Sequence, residues 1–247
     1  MTGGLARSRN RILQALSEPE WVRIAPLLED VDLTRGTTLS DADEPIEHVY
    51  FPERGVASII AIGSAGEQMD TTIVGRDGMV GLPVFLGTSR VTTSAMVQID
   101  MQGQRMSAAD LRAELARGGS LVSLLQRYTQ MVIVELAQLI LCNRMHSLEQ
   151  RAARWLLQID ERVDFGTSFG VTQEFLAEMI GANRPPVTEV VSSLRDRRLI
   201  EYSRGLARVS DPAGLERVAC ECYGIIRNEL DRLLSTSKMR DVASEDD

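Results

Sequence analysis

The segment Gln173–Val190, QEFLAEMIGANRPPVTEV, constrains this chain more than any other stretch. Ala177 is followed by Gly181 four residues on, Val187 six further, and then Val190. That is the spacing of two short helices crossing through a tight turn. A small residue is needed at Ala177, where a larger side chain would hold the helices apart. Gly181 falls in the turn, where a residue without a Cβ takes a positive φ at little cost. Leu176, Met179, Ile180, Val187 and Val190 supply an apolar face at i, i+3, i+4 spacing that ties the pair together. An ordinary αα-corner shares the small residue and the glycine. The downstream sequence favours a helix-turn-helix, whose second helix enters the DNA major groove.

That downstream sequence is LRDRRLI (194–200), a helix end carrying three arginines, followed by Glu201–Tyr202–Ser203, Arg204–Gly205 and Leu206–Ala207–Arg208–Val209. It reads as strand, tight turn and strand, with glycine where a hairpin needs it. A hairpin directly after the second helix is a wing, with Arg204 and Arg208 placed to meet phosphates. The chain as a whole carries a net charge of −8. From Asn183 to Val209, however, six arginines (184, 195, 197, 198, 204 and 208) face Glu189, Asp196 and Glu201, a local balance of +3. A basic face on an acidic body suits a protein that must leave non-specific DNA easily, because phosphate contacts supply most non-specific affinity.

The 247 residues are enough for two domains. No stretch approaches the roughly 18 uninterrupted apolar residues of a membrane span. The basic N-terminus, MTGGLARSRNRILQAL, has neither an apolar core nor a cleavage site, so no secretory signal is read there. Three cysteines, an odd number, fit a reduced cytoplasm better than a disulfide framework. A cytoplasmic location and no membrane partner are expected. An enzyme is not: there is no Ser/His/Asp set, paired carboxylates, phosphate-cradling loop or metal constellation, and only two histidines.

Two short helices are expected near Arg9–Leu16 and Glu18–Leu28, the second capped by Ser17. Residues 30–105 then turn β-like: His48–Phe51 ended by Pro52, Gly55–Ile62, Gln68–Val74, the glycine-punctuated GRDGMVG (75–81), Val91–Ile99 and Gln104–Met106. Short strands with Gly/Pro turns suggest a small sandwich or barrel. Ser107 opens a helical region, and a long helix runs from Ser120 to about His146. Leu121, Leu124, Tyr128, Met131, Leu139, Cys142 and Met145 form one stripe, with Glu135 as an interruption; Leu125, Val132, Leu136 and Ile140 form another. One stripe is assigned to the β-domain, the other to a parallel coiled-coil dimer. This divides the chain into 1–106 (helices and β-domain), 107–146 (central helix), 147–234 (winged helix-turn-helix with a helix over Leu215–Leu234) and a disordered polar tail, 235–247.

The order β-roll, long helix, winged helix resembles the Crp/Fnr (cyclic-AMP receptor/fumarate-nitrate regulator) superfamily of bacterial transcription regulators. The resemblance runs from about Ile24 to Leu215. It is carried most specifically by GRDGMVGLPVFLG, SLEQRAARWLL and VTQEFLAEMIGANRPPVTEVVSSLRDRRLI with its wing. It implies an α+β fold with a cyclic-nucleotide-binding-like roll, and a homodimer on a near-palindromic operator with half-sites about one helical turn apart. It also implies RNA polymerase as a further partner. Thr172, Asn183, Arg184, Pro185, Thr188, Glu189, Arg195, Arg204 and Arg208 become the expected DNA contacts. Asn183 is read as the cap of the second helix, whose first turn holds Pro185–Pro186. Members that bind cyclic nucleotides carry a Gly-Glu pair and an Arg-Ser/Thr pair. Here these positions fall on Gly81–Leu82 and Thr93–Ser94, so both charged ligand groups are missing. Leucine cannot accept from a hydroxyl, and threonine cannot offset a phosphate charge in a desolvated pocket. Arg90, three residues before Thr93, is the remaining cation near the pocket.

Gating by cyclic AMP in the usual mode is therefore not expected. The alternatives are another small ligand in a non-standard pocket, or a constitutive repressor. No cofactor is identified and the effector is unknown. An N-terminal iron–sulfur cysteine cluster is absent, since no cysteine precedes Cys142. Cys220 and Cys222 are expected in the C-terminal helix, lack two further ligands and read as packing residues, so no metal site is expected. His48, the sole histidine of the roll, reads as a structural hydrogen-bonder rather than a haem ligand, and His146 as a hinge hydrogen bond.

Overall fold

The computed structural model describes residues 7–64, 68–163 and 166–234; the expected polar tail at 235–247 and the first six residues lie outside them. The fold is α+β. Helices α1 (Arg11–Gln14) and α2 (Glu18–Ile24) come first, α2 continuing into a 3₁₀ turn at Ala25–Leu27. Asn10 starts α1 by accepting from the Ile12 and Leu13 N–H groups, and its amide donates to the Pro52 and Gly78 carbonyls. Ser17 stands at the N-cap of α2, but its hydroxyl donates to the Glu20 carboxylate instead of capping the backbone.

Five antiparallel strands form the roll: β1 (Glu29–Leu33), β2 (Thr38–Ser40), β3 (His48–Ile62), β4 (Gln68–Val74) and β5 (Thr93–Ser107). The sheet order is β1-β5-β3-β4, with β2 also on β5. The break expected at Pro52 does not occur. β3 is one strand of 15 residues, paired with the equally long β5 from His48↔Ser107 to Ala61↔Thr93. Register shifts between Pro52 and Arg54, and between Arg54 and Val56, absorb the missing proline donor. Gly55 carries that bulge at φ +79°, and a Cβ there would lie 2.1 Å from the Asp100 carbonyl oxygen. Bulges re-aim a strand without ending it, which is why turn residues in the sequence read as strand ends.

Short helix α3 (Leu82–Phe85) follows the GRDGMVG loop, and α4 (Ala108–Leu115) starts at Ser107, which accepts from the Asp110 N–H. Helix α5 runs from Ser120 to Met145. Its buried stripe, Leu121, Leu124, Leu125, Tyr128 and Met131, packs with α1, α2, Phe51 and Met79 into one core. Glu135, the interruption of the stripe, is buried with it and accepts from the Thr72 hydroxyl, but the end of the helix departs from the expected stripe, Met145 being 71% exposed. The ridge drifts round the helix because a straight helix has 3.6 rather than 3.5 residues per turn.

Helix α6 (Leu148–Val163) leads into β6 (Phe169–Gly170), α7 (Gln173–Met179), α8 (Arg184–Asp196), β7 (Ile200–Ser203) and β8 (Leu206–Val209), the three strands ordered β6-β8-β7. Their core joins Trp155, Leu156 and Ile159 to Phe175, Leu176, Val187, Val191 and Leu194, and extends to Val56 and Ile73 of the roll. The single helix expected over Leu215–Leu234 is two: α9 (Pro212–Val218) and α10 (Cys222–Leu234), separated by extended backbone at Ala219. α10 turns back along α5. Leu230 enters the core shared by α5 and the roll, and Asp231 pairs with Arg11 at 3.0 Å.

Candidate nucleic-acid interface

Thr172 caps α7, its hydroxyl accepting from the Phe175 N–H at 3.1 Å. Gly181 takes φ +61° in the turn, and the Ala182 N–H reaches back to the Ala177 carbonyl at 2.9 Å. Ala177 is buried at the crossing. The apolar face therefore closes inward, with Phe175 edge-on to Trp155 at 5.8 Å between ring centroids. Val190 is only partly buried against this core. The opposite face of α8 leaves Arg184, Pro185, Thr188, Glu189 and Arg195 exposed.

Asn183 occupies the N-cap position of α8 in extended conformation but makes no side-chain cap hydrogen bond. An N-cap side chain accepts from the N–H of the second or third helical residue. Those residues are Pro185 and Pro186, which have none. The expected cap is corrected on this point: the prolines fix the backbone of the first turn, and the exposed Asn183 amide is left available for a partner.

The wing and the start of α7 form one unit. The Val171 N–H donates to the Gly205 carbonyl at 2.8 Å, and the Tyr202 hydroxyl donates to the Val171 carbonyl at 3.1 Å. Arg204, at φ +52°, and Gly205, at φ +76°, form the two-residue turn with both central residues left-handed. This sets Thr172 beside the wing tip, its methyl 3.7 Å from where a Cβ on Gly205 would lie.

The electrostatics are more balanced than the sequence suggests. Arg184 pairs with Glu174 of α7 at 2.6 Å, Arg195 with Asp196 at 3.3 Å, Arg197 with Glu149 at 3.0 Å and Arg208 with Glu201 at 2.8 Å. The Thr188 hydroxyl donates to Gln173 Oε1 at 2.7 Å. Two carboxylates from outside Asn183–Val209, Glu174 and Glu149, thus enter the patch and reduce its local balance from +3 to +1. Gln173 and Glu174 are the residues that sequence reasoning passed over. They sit in the first turn of α7, where an acid reads as a helix-dipole partner, and only the crossing of α7 and α8 brings them to Thr188 and Arg184.

In the roll, Gly81 adopts φ +96° before α3, and Leu82 packs against the core shared with α5. Thr93 and Ser94 lie on β5 opposite Ala61 and Ile60. Arg90 is exposed and donates to the Asp43 carbonyl at 2.6 Å. Two cavities open instead where the roll meets the C-terminal region. One, of about 540 Å³, is lined by Asp32, Arg35, Arg54, Gln98, Asp100 and Leu206 among others. The second, about 530 Å³, includes Arg35, Asp70, Glu174 and Phe175. The Arg35 guanidinium stacks on the Phe175 ring, 5.1 Å from its centroid. Asp70, on β4, has its carboxyl pushed up to about 6, first by burial, with Glu178 of α7 adding to the effect.

Residues 150–218 match the model of the Crp-like helix-turn-helix domain. The chain is 27% identical over 227 residues to a CRP-like cAMP-activated global transcriptional regulator of Mycobacterium tuberculosis, covering 86% of this chain and 97% of that protein. Its fold is similar to that of FixK2 from Bradyrhizobium japonicum, with a TM-score of 0.66 at 15% identity over 78% of this chain and 98% of the other. It is also similar to a Crp/Fnr-family transcriptional regulator of Thermus thermophilus, with a TM-score of 0.58 at 20% identity over 77% and 98%.

Proposed function

Because the chain belongs to the Crp/Fnr superfamily of transcription regulators, we propose that it binds a palindromic DNA operator as a homodimer and is not gated by cyclic AMP in the usual mode. The observation that carries the DNA reading is the outward face of α8. Asn183, Arg184, Pro185, Thr188 and Glu189 stand exposed over a helix-turn-helix core that buries Ala177 and Val187. Arg184 would take a guanine edge bidentately, Thr188 a thymine methyl and Glu189 a cytosine amino group. Thr172, Arg195, Arg204 and Arg208 would meet phosphates. Glu189 stands where many family members carry arginine, and Pro185 where many carry glutamate, so the operator differs from the familiar TGTGA-type half-site.

What supports the dimer is an exposed ridge of α5 that only partly coincides with the expected second stripe, because Leu125 is buried in the roll-side core and Val132 packs against it. Ile133 and Ile140 stand a heptad apart, 56% and 74% exposed, with Leu136 half-buried between them. Residues 1–106, 107–146 and 147–234 are taken as sensor, dimerisation and DNA-binding parts. RNA polymerase contact and a cytoplasmic location belong to the same reading. Among the described residues no helix is long and apolar enough to cross a membrane.

What supports independence from cyclic AMP is the pair of substitutions in the roll, Leu82 and Thr93, which leave neither an acceptor for a ribose hydroxyl nor a cation for a phosphate. A second reading, a regulator responsive to another small ligand, draws on the 540 Å³ cavity. Its lining by Arg35, Arg54, Asp32 and Asp100 suits a polar, charged molecule.

The test is selection of bound sequences from a random DNA pool with purified protein at stated salt and without nucleotide. An inverted repeat with half-site centres about one helical turn apart is the expected result. Recovery only when cyclic AMP is added would overturn the ungated reading, and the absence of any enriched repeat with or without metabolites would overturn the operator reading.

A further inference from the structure

We propose that Cys142, His146, Cys220 and Cys222 form a mononuclear zinc(II) site that ties the end of α5 to the start of α10. Their four ligand atoms all lie within 4.8 Å of one another. Cys142 Sγ and Cys220 Sγ are 3.4 Å apart, and Cys222 Sγ is 3.7 Å from His146 Nδ1. A tetrahedral ion with Zn–S bonds of about 2.3 Å requires ligand–ligand edges of about 3.8 Å. The side chains thus converge on one point, with room for a single ion rather than for a polynuclear cluster.

The backbone explains the convergence. Cys142 and His146 are four residues apart at the last turn of α5 and share a face, His146 being the C-terminal cap. Cys220 lies in the break between α9 and α10, and Cys222, beyond Glu221, is the first residue of α10. The extended backbone at Ala219, which ends the helix expected over Leu215–Leu234, is what turns both thiols toward α5.

The surroundings fit a metal site better than a packing cluster. The three cysteines are buried as a group of their own, apart from the apolar cores of the fold. A histidine ring nitrogen, which would be a poor packing partner for three thiols, points among them. The other nitrogen, Nε2, is 3.1 Å from Glu221 Oε1. That contact places the proton on Nε2 and leaves the Nδ1 lone pair facing inward, the carboxylate–histidine arrangement that orients zinc ligands. Arg154, buried on α6, brings a positive charge to Cys142 from that side. Binding replaces three S–H bonds with three Zn–S bonds and releases three protons to solvent, leaving the site with one net negative charge.

The site spans the junction where α5 gives way to α6 at Ser147, so a bound ion would fix the C-terminal helix over α5 and stiffen that junction. Soft sulfur with one imidazole selects zinc over calcium or magnesium.

The experiment uses the full chain purified under reducing conditions, reconstituted with zinc(II) and separately with cobalt(II). One equivalent of zinc per chain by elemental analysis is expected. The cobalt form should show the intense visible bands of a tetrahedral ion and thiolate-to-cobalt charge transfer. Cys222→Ser and His146→Gln should lose the metal while retaining far-ultraviolet dichroism. No metal above background in folded wild-type protein would overturn the proposal. So would iron with acid-labile sulfide, or a Cys142–Cys220 disulfide as the sole product with no uptake after reduction. The cobalt spectrum of the unmodified chain decides the matter even where a variant fails to fold.

Discussion

Arg162 of α6 and Asp77 of the loop after β4 form an ion pair at 2.7 Å, with side chains 4% and 8% exposed, at the seam between the roll and the region that carries the helix-turn-helix. The Arg162 guanidinium also donates to the Gln158 carbonyl at 3.1 Å, and the buried Glu135 and Tyr128 of α5 feel its charge. A buried pair of this kind contributes little over an apolar replacement, but breaking it leaves one charge uncompensated.

Asp77→Ala is therefore expected to destabilise the protein by about 3–5 kcal/mol, whereas the double change Asp77→Leu with Arg162→Met recovers most of that loss. Urea unfolding of the two variants checks it. Equal destabilisation of both would show that shape rather than charge compensation matters at the seam.

Asp70 provides a pH-dependent element at the same boundary. Its folded carboxyl titrates near 6 against 3.8 for an unperturbed one, because burial and Glu178 disfavour the charged form. Between these values the folded state holds the proton more tightly than the unfolded chain, so stability falls as pH rises from about 4 to 6 and is flat above. For a fully enclosed group the loss would be about 3 kcal/mol; partial exposure reduces it to about 1 kcal/mol. Asp70→Asn should remove this slope and raise the melting temperature at neutral pH, measured by calorimetry at pH 4.5 and 7. A slope unchanged in the variant would assign the titration to another group.

The pairing of Arg184 with Glu174 predicts opposite effects on DNA affinity. Arg184→Ala removes the proposed base contact and is expected to weaken operator binding by about 1–3 kcal/mol with the fold intact. Glu174→Gln frees Arg184 from an exposed pair worth at most about 1 kcal/mol, so affinity should rise by up to about fivefold. Arg204→Ala should weaken all sequences alike and lower the salt slope by about one. Titrations of the selected operator at several salt concentrations separate these outcomes; unchanged binding by Arg184→Ala would remove that residue from the recognition surface.

The uncovered ridge of α5 predicts the assembly. Ile133→Glu combined with Ile140→Glu should convert a dimer to a monomer without loss of helicity, because neither side chain contributes to the monomer's core. Sedimentation equilibrium reads the change. A variant that stays dimeric would place the interface elsewhere.

The sequence was legible where the physics is local. Thr172 as a cap, Gly181 in its turn, Ala177 at the crossing and the Arg204–Gly205 hairpin depend on residues a few positions apart, and each carries its own chemical signature. Pro52 misled because a proline ends a strand or sits at a bulge, and only the partner strand β5 decides between the two. Asn183 misled because its own side chain suits a cap while its neighbours Pro185 and Pro186 offer nothing to cap. The neutralisation of Arg184 by Glu174, and the meeting of Cys142 and His146 with Cys220 and Cys222, could not be read at all. The latter joins Cys142 to Cys220, 78 residues away, through the return of α10 along α5, and nothing in either short stretch announces the other.

That return has a consequence for how the chain comes to be folded. Leu230 completes a core otherwise built from α1, α2, α5 and the roll, and Asp231 meets Arg11 across 220 residues of sequence. The first and last helices of the described residues are therefore neighbours, and such a long-range contact forms only after its loop-closure entropy has been overcome. During synthesis the N-terminal core emerges with one wall missing and exposes apolar surface until α10 leaves the ribosome. A truncation just past the winged helix would keep every residue of the proposed DNA-facing surface, yet it would leave the opposite end of the molecule unfinished.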